Sequence, residues 1–156
     1  MIEALVDLWE EPADAKCITT NGYVKKDGTL VMGAGVAGQA QKRYPALPWW
    51  WGRCVARDGN HVYPWVDEDG TRLLSFPVKH RWYEKADLDL IKRSAHELVE
   101  AANVLNLDKI LLPLPGCGNG QLSWADVKPV LEPILDDRFW LINNKITKDF
   151  YPNEII

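Results

Sequence analysis

Hydrophobic residues fall along this chain in two kinds of pattern. Short apolar runs at Ala4 to Trp9, Lys16 to Thr20, Val62 to Val66, Arg72 to Val78, Lys109 to Leu114 and Phe139 to Asn143 are each bounded by Gly, Pro, Asp or Asn. Their length predicts six strands. Between the fourth and fifth, Leu88, Ile91, Ala95, Leu98, Val99, Ala102 and Leu105 recur at helical spacing behind Asp87, with Lys92, Arg93, Glu97 and Glu100 on the other side. That spacing predicts an N-capped amphipathic helix. Val127, Val130, Leu131, Ile134 and Leu135 predict a second helix, opened either by a Ser123 and Asp126 capping box or by Asp126 alone. With Asp126 as the cap, Pro129 falls in the first turn and costs little, whereas Pro133 should bend the helix or end it early. A third, shorter helix is predicted from near Gly35 to the stretch holding Pro45 and Pro48.

Strands alternating with helices imply an α/β layer structure with a largely parallel sheet, because parallel strands need crossovers long enough to carry a helix. Ligands of such sheets bind beyond the carboxyl ends of the strands. No repeat, low-complexity tract or linker divides the 156 residues, so a single domain spanning 1–156 is expected.

Composition narrows the function. With 47% hydrophobic and 26% charged residues the chain reads as an ordinary globule, and a net charge of -4, from 18 Lys+Arg against 22 Asp+Glu, argues against gripping nucleic acid with the whole surface. A local basic groove stays open. No run approaches about 18 apolar residues, and Met1-Ile2-Glu3-Ala4 lacks the basic-then-apolar order of a signal peptide. A cytoplasmic protein without a membrane partner is expected. Cys17, Cys54 and Cys117 form no C-x-x-C pair, and His61, His80 and His96 do not complete a ligand set, so neither a disulfide framework, a metal site nor a cofactor is expected. Trp49, Trp50 and Trp51, between Pro48 and Gly52, are too dense for one helix face. Either some are exposed, as a lid or a base-stacking surface, or they pack beneath a long loop.

Two glycine-rich loops carry the candidate chemistry. Met32-Gly33-Ala34-Gly35-Val36-Ala37-Gly38 leads into a predicted helix, where backbone approach and free N–H groups suit an anion, phosphate above all. It also satisfies G-x-G-x-x-G, with Asp58 lying 20 residues after Gly38. A dinucleotide-binding crossover is nonetheless disfavoured, because Pro45, Pro48 and the tryptophan run leave little room for its helix and buried strand. Gly116-Cys117-Gly118-Asn119-Gly120 follows the strand ending at Leu114 and has the composition of a backbone nest. Two such loops in one small domain imply a ligand with two adjacent phosphates, or a phosphate flanked by sugars. Cys117 is open to a nucleophile reading, but nothing places a base beside it, and a small buried thiol is the alternative.

Taken together, Asp7-Leu8, Cys17-Ile18-Thr19-Thr20-Asn21, the first glycine loop, and Leu112-Pro113-Leu114-Pro115-Gly116-Cys117-Gly118-Asn119-Gly120 resemble the macrodomain, an ADP-ribose-binding module, in the right order over nearly the whole chain. The resemblance implies a three-layer α/β/α fold with a mixed, mostly parallel six-stranded sheet. It implies that Asp7 accepts the adenine amino group beside the Leu8 amide and that Asn21 contacts the distal ribose. Gly33, Gly35, Val36 and Ala37 would wrap the distal phosphate and ribose, and Gly116, Cys117, Gly118, Asn119 and Gly120 would cradle the diphosphate. Taken alone, Asp7 could cap a turn, and Asn21-Gly22 is a common turn dipeptide.

Phe76-Pro77-Val78-Lys79-His80-Arg81-Trp82 resembles the strand-end motif of the branch that holds DNA ADP-ribosyl glycohydrolase antitoxins and, more distantly, terminal ADP-ribose protein glycohydrolases. Lys79 matches the lysine essential for hydrolysis in that branch. Gly120 stands where the glycohydrolase pattern has an aspartate, which puts a Lys and Asp mechanism in doubt but not the antitoxin-like one. The 22–30 loop is also longer and more polar than usual. Conventional glycosidases use two carboxylates, and no convincing pair is present. A lysine can instead attack a ring-opened sugar as an amine, with burial or a cation such as His80, Arg81 or Lys85 lowering its pKa. The expectation is therefore an ADP-ribosyl hydrolase with Lys79 and Asn21 as catalytic residues, monomeric, whose partner is ADP-ribose or an ADP-ribosylated macromolecule, single-stranded DNA included; for a nucleic-acid substrate, Trp49 to Trp51 and the Lys79 to Lys85 segment are the contact candidates. A reader without turnover and a phosphatase of ADP-ribose 1''-phosphate are the alternatives.

Overall fold

The structure, a computed structural model, describes residues 1–143; the last 13 residues of the predicted domain, 144–156, lie outside them. In chain order the elements are β1 (Ile2–Ala4), β2 (Ala15–Thr20), α1 (Gly35–Arg43), α2 (Leu47–Asp58), β3 (Pro64–Val66), β4 (Arg72–Pro77), α3 (Leu88–Val104), β5 (Ile110–Pro113), α4 (Trp124–Leu131) and β6 (Phe139–Ile142). The sheet runs β1-β6-β5-β2-β4-β3. Every neighbouring pair is parallel except β3 with β4, so the sheet is mixed and mostly parallel.

Alternation along the strands builds a core on each face. Ala15, Cys17, Leu74, Ile110 and Leu112 pack with Ile91, Ala95 and Leu98 of α3 and with Val127 and Leu131 of α4. Ile18, Leu73 and Leu111 point the other way, onto Ala37 and Ala40 of α1 and Leu47 and Trp51 of α2. Helices on both faces make the three-layer α/β/α architecture. Full burial pushes the Cys17 thiol well above its ordinary range, as expected of an inert core residue.

Two local readings change and one open choice is resolved. The first strand ends at Ala4 instead of beginning there, because Asp7 organises a turn: its Oδ1 accepts from the Trp9 and Glu10 amides at 2.8 and 3.2 Å. Of the two caps left open for α4, Ser123 is the one that forms, its Oγ accepting from the Asp126 amide at 3.2 Å. Pro129 is thereby interior to α4, and the helix ends at Leu131, two residues before Pro133. Finally, the tryptophan run is helical. Pro48 sits in the first turn of α2, where a missing N–H costs nothing. Successive residues on a helix point about 100° apart, so Trp51 is buried while Trp49 and Trp50 face outward. Gly52 lets α2 lie against the 28–30 loop, where a Cβ would stand 2.1 Å from the Gly28 carbonyl oxygen.

Strands β5, β2 and β4 are adjacent and parallel at the centre of the sheet, with Thr20 level with Pro77. Their carboxyl ends open side by side, and the site lies there.

Candidate functional site

A cavity of about 610 Å³ occupies that edge. Thr19, Thr20 and Asn21 enter it from β2, Val78 and Lys79 from β4, and Pro113 and Leu114 from β5. Both glycine loops complete the wall. Gly33, Gly35, Val36 and Ala37 line one side, Gly116, Gly118, Asn119 and Gly120 the other. A Cβ built on Gly35 would lie 3.1 Å from Asn119 Nδ2, so the two loops meet across the cavity.

The first loop delivers a helix N-terminus to this wall. The α1 N-cap residue is Ala34, which has no side-chain acceptor to offer the first-turn amides, leaving them to an incoming anion. The second loop is folded on itself. Gly116 has a φ of 73°, and its carbonyl oxygen accepts from the Leu122 amide at 2.8 Å. Gly120 lies so close beneath it that a Cβ would stand 2.6 Å from the Gly116 oxygen and 2.8 Å from Ala86 Cβ. No carboxylate could be carried there.

Lys79 lines the cavity. Its Nζ donates to the Trp82 and Asn119 carbonyl oxygens, each at 3.2 Å, so one side chain joins the strand-end segment to the second loop. The main chain around it is pinned from several directions: Asn60 Nδ2 donates to the Lys79 carbonyl at 2.9 Å, the Gly22 amide to the His80 carbonyl at 3.1 Å, and the Ala86 amide to the Gly120 carbonyl at 3.0 Å. Among the described residues Lys79 is the one titratable side chain lining the cavity; no Asp, Glu, His, Cys or Tyr does. Asn21 lines it too, with its side chain engaged: Nδ2 donates to the Val31 carbonyl and Oδ1 accepts from the Tyr23 amide, both at 2.9 Å.

Other candidates fall elsewhere. Asp7 and Leu8 do not line the cavity; Asp7 caps its turn and Leu8 is buried in the α1 and α2 core. Cys117 also lies off the wall, its Sγ 3.4 Å from the Pro115 carbonyl oxygen. Of the cations weighed as neighbours of Lys79, His80 turns to Asp87 (2.8 Å) and Arg81 to Glu84 (3.8 Å). The His80 hydrogen bond holds the Asp87 carboxyl below its usual range, aided by the Asp89 and Leu90 amides that Asp87 caps. Asp58 ends α2 in an exposed pair with Arg57, so no dinucleotide crossover forms. Sequence reasoning missed Asn60, whereas Trp82, within the 79–85 segment expected to contact nucleic acid, lines the cavity. Gly59-Asn60 reads only as a turn.

No family model matches the chain. A DNA ADP-ribosyl glycohydrolase of Mycobacterium tuberculosis is 31% identical over 104 residues, covering 63% of this chain and 30% of the relative; this chain thus spans about a third of that protein's length. Among solved structures, the macrodomain of Mycobacterium tuberculosis DarG superposes with a TM-score of 0.73 at 26% identity, covering 89% of this chain and 95% of that one. Thermosipho africanus DarTG, solved in complex with ADP-ribose, gives a TM-score of 0.77 at 19% identity, covering 90% of this chain and 41% of the other. Fold and sequence point the same way: the chain has the macrodomain fold and resembles the DarG branch.

Proposed function

We propose that this chain binds ADP-ribose in the cavity and hydrolyses the bond joining its distal ribose to a modified macromolecule, DNA being the favoured acceptor. The supporting observation is Lys79, the lone titratable side chain on the cavity wall among the described residues, anchored between the strand end and the second glycine loop. Kinship to proteins named DNA ADP-ribosyl glycohydrolase favours the DNA acceptor.

In this reading the diphosphate lies between the α1 N-terminus and the Gly116 to Gly120 loop, where main-chain amides supply a positive potential. The distal ribose lies against Asn21 and Lys79, with Gly33, Gly35, Val36 and Ala37 around it and Cys117 and Asn119 contributing backbone to the diphosphate cradle. Adenine extends toward Asp7 and the Leu8 amide at the carboxyl side of β1. Among the described residues no carboxylate pair lines the wall, so the reading assigns the chemistry to Lys79 instead of a conventional glycosidase pair. The Lys79 amine adds instead to C1 of the ring-opened ribose. The bond from C1 to the acceptor breaks, the acceptor leaves with a proton, and a Schiff base remains on Nζ. Water adds to that carbon, returns the amine and releases the aldehyde, which recloses as ADP-ribose. The domain acts as a cytoplasmic monomer over residues 1–156.

Parallel incubation with ADP-ribosylated single-stranded DNA, ADP-ribosylated protein and ADP-ribose 1''-phosphate tests the function. Release of ADP-ribose from DNA is expected. Binding without release would make the chain a reader, and phosphate release alone a phosphatase. Lys79→Ala should abolish turnover and retain ADP-ribose affinity, and borohydride should trap ADP-ribose on the wild-type lysine.

A further inference from the structure

We infer that Trp82 and Tyr83 form a nucleobase-stacking platform at the cavity mouth, holding the single strand that carries the modified nucleotide; the inference rests on the proposal that the acceptor is DNA. The two side chains are 53% and 62% exposed, although burial of rings this large is ordinarily favourable. They stand edge to face, centroids 5.3 Å apart and planes at 89°.

The platform is fixed to the site. The Trp82 carbonyl oxygen accepts from Lys79 Nζ, and the segment is tied down by Gly22 to His80, by His80 to Asp87 and by Ala86 to Gly120. Trp82 lines the cavity beside Lys79, whereas Tyr83 does not. With the anomeric carbon at Lys79, whatever is bonded to that carbon leaves the cavity past Trp82. A base attached there meets the indole face, and the next base along the strand reaches the Tyr83 ring. Stacking of this kind accepts any base, since every base presents a π-face. Arg81 and Lys85, both exposed, flank the pair; Glu84 lies 3.8 Å from Arg81 and offsets one of these charges, which leaves a net charge of +1 over Arg81 to Lys85 for the strand's phosphates.

Trp49 and Trp50 make a similar exposed pair, at 4.9 Å and 82°, but they lie off the cavity wall and Arg53 covers the Trp49 ring at 4.8 Å. Of these two exposed pairs, the Trp82 and Tyr83 pair is the one that reaches the cavity wall, through Trp82.

Two assigned bases separate the two rings experimentally. Tyr83→Ala should raise KM for an ADP-ribosylated oligonucleotide about tenfold, the scale of stacking one base on an aromatic ring, with kcat unchanged. It should leave KM for an ADP-ribosylated mononucleoside and the calorimetric affinity for free ADP-ribose at wild-type values, which also certifies its fold. Tyr83→Phe should restore the oligonucleotide KM. Equal oligonucleotide KM for wild type and Tyr83→Ala would overturn the platform while leaving the hydrolase standing. Wild-type protein that binds ADP-ribose but releases none from either DNA substrate would overturn the DNA reading and the platform with it.

Discussion

The Asn60 side-chain amide donates to the Lys79 carbonyl oxygen at 2.9 Å, which places a residue 19 positions earlier in charge of where the cavity lysine begins. The same amide packs against Gly22, where a Cβ would stand 2.8 Å from Asn60 Nδ2, so Asn60 spaces the segment bearing Asn21 from the one bearing Lys79. Misplacing a reacting group by about 1 Å can cost on the order of a hundredfold in rate. Asn60→Ala should therefore lower kcat by about tenfold or more, with ADP-ribose affinity measured by calorimetry unchanged. Asn60→Asp, which sets an acceptor against a carbonyl, should fare no better. Loss of affinity in parallel with kcat would instead show that Asn60 only keeps the pocket folded.

Gly120 has no room for a side chain. With a Cβ at 2.6 Å from the Gly116 oxygen, Gly120→Ala must push the second loop apart, and overpacking of this kind costs about 1–3 kcal/mol. Gly120→Asp should cost at least as much and should not add activity. The checks are chemical unfolding and ADP-ribose release, and an aspartate variant that is both stable and faster would refute the argument.

Periodicity made much of this fold legible. The Asp87 cap and the apolar stripe of α3 are where the spacing put them, because one helix packed on one face of a sheet leaves an unambiguous pattern. The strand-to-helix glycine loops stood out for a similar local reason. α2 was hidden because Trp51 packs inward while Trp49 and Trp50 face out, so a run of identical residues carried no polarity signal. The first strand was displaced because Leu8 and Trp9 are apolar for tertiary reasons, packing on α1 and α2 rather than in the sheet. Asn60 depends on a contact between segments 19 residues apart, which no local pattern encodes.

Gly118 makes the opposite case to Gly120. It lines the cavity, yet a Cβ built on it meets nothing within 4 Å. Protein packing does not require glycine there, but close approach of a ligand to backbone does. Gly118→Ala should leave stability within about 0.5 kcal/mol of wild type and weaken ADP-ribose binding about tenfold, as a methyl group displaces the diphosphate. Unchanged affinity would place the ligand away from this loop.

Asp87 joins helix formation to the segment that carries Lys79. Its Oδ1 accepts from the Asp89 and Leu90 amides at the start of α3, and its Oδ2 meets His80 Nε2 at 2.8 Å. The His80 hydrogen bond, with the capping amides, depresses the carboxyl below its ordinary value, near about 3.9 in an unfolded chain. A carboxyl lowered on folding contributes stability in full above that unfolded value, and the contribution is lost as pH falls through the lower folded one. Asp87→Ala should thus cost about 1 kcal/mol near pH 5, the usual scale of an N-cap, and part of that comes from a half-exposed side chain whose charge is screened by solvent. Urea unfolding of wild type and variant should show the gap narrowing below about pH 4 as the wild-type carboxyl protonates. A gap that stays constant to pH 3 would mean that the cap acts through shape and not through charge.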